Sequence, residues 1–194
     1  GDWQRSYTRN DTLGGADKTS ARAILEWAPA DNLRATFNLN GYVDRSDPQA
    51  TQVIRITPLT PARVLPEVRD YPLAPHNARS ADWSATREPT RDDRFWQASA
   101  RVAWDLSDTL TLTSITAFSN LDTDDYIDRD GMANDNSQYG LRGSINAFNQ
   151  EFRLSGETGI LNWVAGASYQ TDETSENSTV NIASSSNVQS SFGV

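Results

Sequence analysis

Leu33-Arg34-Ala35-Thr36-Phe37-Asn38-Leu39-Asn40 alternates without a break: every odd position is apolar and every even position is polar. Side chains that repeat every second residue share one face of a β-strand, whereas a helix would bring together residues three and four apart. The segment therefore reads as a strand with one greasy face and one wet face. A cluster of turn formers, Ala28-Pro29-Ala30-Asp31-Asn32, precedes it. Before that turn, Ala21-Arg22-Ala23-Ile24-Leu25-Glu26-Trp27 keeps the odd-apolar parity, with two of its three even positions charged. Together the two runs predict an antiparallel hairpin.

The same unit recurs along the chain. Ala98-Ser99-Ala100-Arg101-Val102-Ala103-Trp104 runs into a turn at Asp105-Leu106-Ser107-Asp108, and Thr109 to Phe118 alternates again. Trp27, Asp31 and Leu33 have counterparts in Trp104, Asp108 and Leu110 at the same offsets. A third hairpin joins Phe148-Asn149-Gln150-Glu151-Phe152-Arg153-Leu154 to Leu161-Asn162-Trp163-Val164-Ala165-Gly166-Ala167-Ser168-Tyr169 through Ser155 to Gly159. Repeated hairpins predict a meander. Long connections separate them. Asp44 to Asp93 holds every proline except Pro29, and Ser119 to Ala147 is rich in Asp, Asn and Gly. An early loop covers Thr8 to Lys18, and a polar tail follows Thr171.

Composition narrows the setting. The chain has 194 residues, only 37% of them hydrophobic, a mean hydropathy of -0.63, and yet six Trp. A packed soluble core needs clustered Leu, Ile and Val. A barrel wall with lipid on one side and water on the other needs an apolar residue only at every second position. No run approaches the ~18 to 20 apolar residues of a transmembrane helix, but a barrel strand needs only about 9 to 11 residues. The net charge of -9 argues against nucleic acid, whose phosphates require a basic patch. The absence of cysteine excludes a disulfide scaffold and a thiolate metal site.

Trp96 and Trp104 share the apolar parity. At ~3.4 Å per residue they stand roughly 27 Å apart, and a tilt of about 40° reduces this to about 21 Å, close to the ~25 Å apolar band of an outer-membrane barrel. Trp27, Trp104 and Trp163 lie beside short turns on the apolar side and are expected to form one aromatic girdle; Trp96, Phe118, Phe148 and Tyr169 lie toward the long connections and are expected to form the other. Short turns alternating with long loops fit this geometry, because such barrels turn tightly at the periplasmic end and loosely outside. The fold expected is all-β, part of a transmembrane antiparallel β-barrel. Its rival is an ordinary soluble β-sandwich with core tryptophans.

Three segments also resemble a known family. Ile24-Leu25-Glu26-Trp27-Ala28-Pro29-Ala30-Asp31-Asn32-Leu33 is similar to the "LLWxPxDxL" hairpin of TonB-dependent outer-membrane receptors of alphaproteobacterial type. Leu110 to Phe118 resembles their "LTSITAF" strand, and Asn149 to Ser155 followed by Leu161 to Gly166 resembles their "QELRLxS…WxxG" hairpin. The three occur in the family's order. The resemblance covers 1–174 as a partial barrel segment and leaves 175–194 as a polar segment, either an extracellular loop or the start of a next strand. It implies a 22-stranded barrel around a plug, coupled to TonB, that imports a scarce nutrient across the outer membrane of a Gram-negative bacterium. Ferric siderophore uptake, and so iron transport, is the first candidate. About six full strands are legible here, with the end of another at Asp2 to Tyr7, and neither plug nor TonB-binding segment is found, so the chain is expected to be an excerpt. The expected partners are outer-membrane lipid and lipopolysaccharide, the rest of the barrel and plug, TonB, and a small-molecule ligand. The alternative is a passive or structural barrel of porin or adhesion type without a plug.

No enzymatic chemistry and no cofactor is expected. The lone His76 sits in the proline-rich loop with no thiol to pair with, and reads as a solvated loop residue. Asp122 to Gly131 carries five carboxylates but misses the spacing of a calcium loop, so no metal site is assigned. Arg22, Arg34, Arg101 and Arg153 take the wet parity and are expected to face the lumen and plug, with contact to an anionic ligand as the alternative. Tyr71, Trp83, Tyr126 and Tyr139 are candidates for an outer ligand-binding mouth, with loop packing as their alternative.

Overall fold

The computed structural model describes residues 1–57 and 64–182. Six long strands make one antiparallel sheet in sequence order: β3 (Lys18–Ala30), β4 (Leu33–Asp44), β6 (Thr90–Ser107), β7 (Leu110–Asp128), β8 (Gln138–Thr158) and β9 (Leu161–Asn181). This is the meander that the alternation predicts, and no closed barrel forms among the described residues. Turns of two residues, 31–32, 108–109 and 159–160, join strands at one end of the sheet. Residues 45–89 and 129–137 join them at the other. The two ends are called the turn end and the loop end below.

The strands at the loop end run further than the alternation suggests. Most of 119–147 is strand, because β7 and β8 stay paired out to Asp128 and Gln138. The polar tail after Thr171 likewise continues β9 to Asn181, while 183–194 lies outside the described residues. These extensions carry Asp, Asn, Ser, Thr and Gly on both faces with only scattered apolar residues, so no period-two signal marks them.

A small cap occupies the loop end. Its sheet has three strands in the order β2 (Thr12–Leu13), β1 (Gln4–Ser6), β5 (Ser80–Ala81), with β1 and β5 parallel. The expected strand end at Asp2 to Tyr7 therefore belongs to this cap and not to the long sheet. A single helical turn, α1 (Pro66–Arg69), buries Val68 against Val53 and Met132. Leu13, Ala50, Ala81 and Trp83 form a second cluster. Of the buried apolar residues, only Ala35 and Tyr126 belong to the six long strands. Among the described residues the clustered dry interior is in the cap, and the long sheet is a single layer.

Exposure inverts the usual order. Leu25, Leu39 and Tyr169 are 62%, 55% and 62% exposed, while cap residue Trp83 is fully buried. The total accessible surface is 12730 Å², whereas a compact globular chain of this mass would present roughly 9,100 Å².

One glycine makes room for an aromatic ring. Trp163 pairs with Gly156, and its indole lies across the space where a side chain would be: a Cβ there would meet Trp163 Cζ2 at 2.6 Å. Gly156→Val is expected to swing the indole off the sheet and destabilise the β8–β9 turn by about 1–3 kcal/mol. A shift in Trp emission together with a lower denaturation midpoint would register it; an unchanged midpoint would refute the close contact.

Candidate functional site

Strand register sorts the sheet into two faces. Trp27 pairs with Ala35, Ala35 with Val102, and Trp104 with both Leu33 and Leu112. Followed through β8 to β9, this register puts Trp27, Trp104 and Trp163 on one face near the turn end. They are not enclosed: Trp27 and Trp104 are 53% and 48% exposed. On the same face, toward the loop end, Trp96, Phe118, Phe148 and Tyr169 cross β6 to β9. The Trp96 and Phe118 rings lie 5.1 Å apart and the Phe148 and Tyr169 rings 6.5 Å apart. Between the two rows run Ala98, Ala100, Val102, Phe37 and Leu39, lining shallow apolar grooves.

The polar residues within this band satisfy one another. Thr116 Oγ1 donates to Gln150 Oε1 at 2.6 Å. Gln150 Nε2 donates to Ser114 Oγ at 3.1 Å and to the carbonyls of Ile115 and Glu151, each at 3.2 Å. Asn120 Nδ2 donates to Asn146 Oδ1 at 3.0 Å. Polar groups in a medium without hydrogen-bond partners need such internal pairing. Above the loop-side aromatics the face turns charged, with Arg94 on Asp92 and Arg142 on Asp124.

The opposite face carries Arg22, Arg34, Arg101 and Arg153, all exposed. Arg22 Nε donates to Asn38 Oδ1 at 3.0 Å, Arg34 pairs with Asp105 at 2.9 Å, and Arg153 Nη2 donates to Glu151 Oε2 at 3.1 Å. Arg101 makes no ion pair among the described residues. Toward the turn end Arg34, Arg101 and Arg153 face four carboxylates: Glu26, Asp105, Glu151 and Glu157. Toward the loop end Lys18, Arg22 and Arg91 face five: Asp44, Asp93, Asp125, Asp172 and Glu176, with Arg22 and Asp172 on one register row. The face is thus short of one positive charge toward the turns and of two toward the loops.

One feature of this face escapes the alternation. Tyr42, Phe95, Leu121 and Ile145 are register partners in succession, forming an apolar row across β4, β6, β7 and β8. Each residue taken alone is a single break in polarity; only the pairing aligns them. The Tyr42 and Phe95 rings are stacked at 5.5 Å and 27°.

The four loop aromatics separate. Trp83 is fully buried under the Arg9 guanidinium, 4.7 Å from its ring centroid, and Tyr126 is buried beneath Arg87 at 3.5 Å. Both side chains are thus packed against neighbours, Trp83 inside the cap and Tyr126 at the loop end of β7. The Tyr71 hydroxyl donates to Asp82 at 2.5 Å and accepts from the Ala133 backbone N–H at 2.7 Å. Tyr139 shares a hydrogen bond of 3.0 Å with Ser178. His76 is exposed in the loop before β5.

The carboxylate run does not gather. Asp122 and Asp124 lie on one face of β7 and Asp125 on the other. Among the described residues no group of three His, Asp or Glu could hold a metal ion. Asp130 does something else: it closes the 129–137 connection by accepting from the Met132 N–H at 2.8 Å and the Ser137 N–H at 2.5 Å. Burial, then the nearby Asp128 carboxylate, pushes Asp130 up to about 7, against the pull of these donors. A carboxyl raised by folding keeps its proton where the unfolded chain has lost its own. Its stabilising contribution is therefore complete below about pH 4 and lost as pH rises through about 7. Amide protection in 129–137, corrected for intrinsic exchange, is expected to fall between pH 5 and pH 8, and Asp130→Asn to flatten that fall. Protection that rises with pH would contradict the assignment.

Comparison with models of known protein families gives no match, and neither does comparison with curated proteins.

Proposed function

We propose that this chain is the barrel-wall portion of an outer-membrane, TonB-dependent type receptor that imports a scarce nutrient, with a ferric siderophore as the first ligand to try. One observation carries the membrane part of this reading: a single-layer sheet exposes an apolar band between two aromatic rows while its other face is polar. In water, such a band is an aggregation hazard. Against hydrocarbon it is the expected lipid-facing surface of a barrel. The receptor part rests on the three sequence segments that resemble the family. In this reading the two-residue turns face the periplasm, the cap stands outside, and the polar face lines the lumen. The wall and loops position the ligand, whereas energy coupling belongs to the plug and TonB. No catalytic step is assigned.

Deletion of the gene in its host tests the reading. Ferric siderophore uptake under iron limitation should fall with the deletion and stop with a protonophore. Uptake that survives the protonophore would assign a passive barrel. Recovery of the protein as a detergent-free soluble monomer would end the membrane reading altogether.

A further inference from the structure

We infer that the loop-end part of the polar face is a contact shelf for the flat, apolar part of a neutral or cationic small molecule, and not for an anionic one; this rests on the reading of that face as a lumen. The shelf is the row Tyr42, Phe95, Leu121, Ile145. At ~4.8 Å between neighbouring strands, the row extends about 14 Å across the sheet, long enough for a fused tricyclic ring. It interrupts an otherwise polar surface. The register row on its turn side holds Arg22, Asn40 and Gln97, the last two hydrogen-bonded to each other at 3.2 Å, and the row on its loop side holds Asp44 and Asp93. An apolar strip facing water costs free energy unless something covers it, and Asn40, Gln97, Asp44 and Asp93 in the flanking rows already have side-chain partners.

Charge selects the occupant. The five carboxylates beside the shelf outnumber Lys18, Arg22 and Arg91, and Lys18 is already committed to Asp44 at 3.1 Å. Asp125 Oδ1 has no hydrogen-bond donor, with Arg91 Nε standing off at 3.8 Å. The Tyr42 ring already accepts a cation, since Lys18 Nζ lies 4.8 Å from its centroid. Stacked rings with carboxylates alongside attract a positively charged planar group and repel a negative one. This narrows the ligand class away from anionic chelates at this sector of the wall.

The test uses the complete protein folded in detergent micelles, with proflavine as a flat tricyclic cation and fluorescein as a flat tricyclic anion. Binding to empty micelles is subtracted. Proflavine is expected to bind at least tenfold more tightly than fluorescein. Phe95→Ser with Leu121→Ser should weaken proflavine at least fivefold, and Asp93→Asn should reduce the cation preference at least threefold. Retention of the folded band on unheated gels checks these variants. Should the double variant fail to fold, Ile145→Ser, at the exposed end of the row, replaces it with an expected loss of about twofold. Equal affinity for the two dyes, a preference for fluorescein, or full proflavine affinity in the variants overturns the inference. Energy-dependent uptake measured in parallel separates the two failures: uptake without dye preference sinks the shelf alone, and loss of membrane insertion sinks both.

Discussion

Ala100→Arg is expected to cost about 2–4 kcal/mol of folding stability in a bilayer, while Ser99→Arg, one residue away, is expected to stay within about 0.5 kcal/mol. Ala100 lies midway between Trp96 and Trp104 on the exposed apolar face, beside Phe37 and Thr116. An arginine there would stand at the centre of the hydrocarbon, with too short a reach to carry its charge to either interface. Ser99 points to the polar face, opposite Asn38 and Ala117, where a guanidinium remains hydrated. Denaturant titration of the complete protein in phospholipid vesicles would measure both. Equal costs at the two positions would mean that both faces meet the same medium, and the lipid-facing assignment would fail.

The second large effect lies in the cap. Asp82 is fully buried and accepts from five donors: Ser6 Oγ at 3.0 Å, Arg9 Nη1 at 2.6 Å, Tyr71 Oη at 2.5 Å, the Trp83 N–H at 3.1 Å, and the Thr8 hydroxyl. It ties the N-terminal segment to the long connection between β4 and β6. Asp82→Ala leaves the largely buried Arg9 guanidinium without its carboxylate, and losing one partner of such a pair costs about 3–5 kcal/mol. Because Arg9 keeps partial solvent contact and a second carboxylate in Asp11, the lower end applies. Amides of Leu13 and Ala81 are expected to lose roughly 100-fold in exchange protection, which is about 3 kcal/mol. Those of Phe37 and Ala100 should not change, since the long sheet is paired independently. Asp82→Asn, which keeps an acceptor, should lose less. Uniform loss across cap and sheet would show that the two fold as one unit.

Period-two alternation is a local property, so it was readable wherever one strand face is apolar. That is why the alternation alone puts Trp27, Trp104 and Trp163 on a common face, and why Ala98, Ala100 and Val102 read as one apolar side of a strand. The signal stops where both faces become polar. The outer parts of β7, β8 and β9 looked like loop because Asp, Asn, Ser and Thr there carry no sidedness, although they are paired to the end of each strand. The five carboxylates of 122–130 read as one acidic loop for the same reason; in the structure Asp122, Asp124 and Asp128 share one face of β7, Asp125 lies on the other, and Asp130 is in the 129–137 connection.

What the sequence determined by itself is therefore the strand type, the sidedness of each hairpin, and the alternation of two-residue turns with long connections, because all three depend on near neighbours in the chain. Tertiary structure alone decided which breaks in polarity join up and which polar groups are buried. The row from Tyr42 to Ile145 exists only through the register of four strands. The burial of Trp83 and Asp82 exists only because distant segments close over them. Contacts between residues far apart in the chain leave no period in the sequence, and so the cap and the shelf became visible only once the strands were paired.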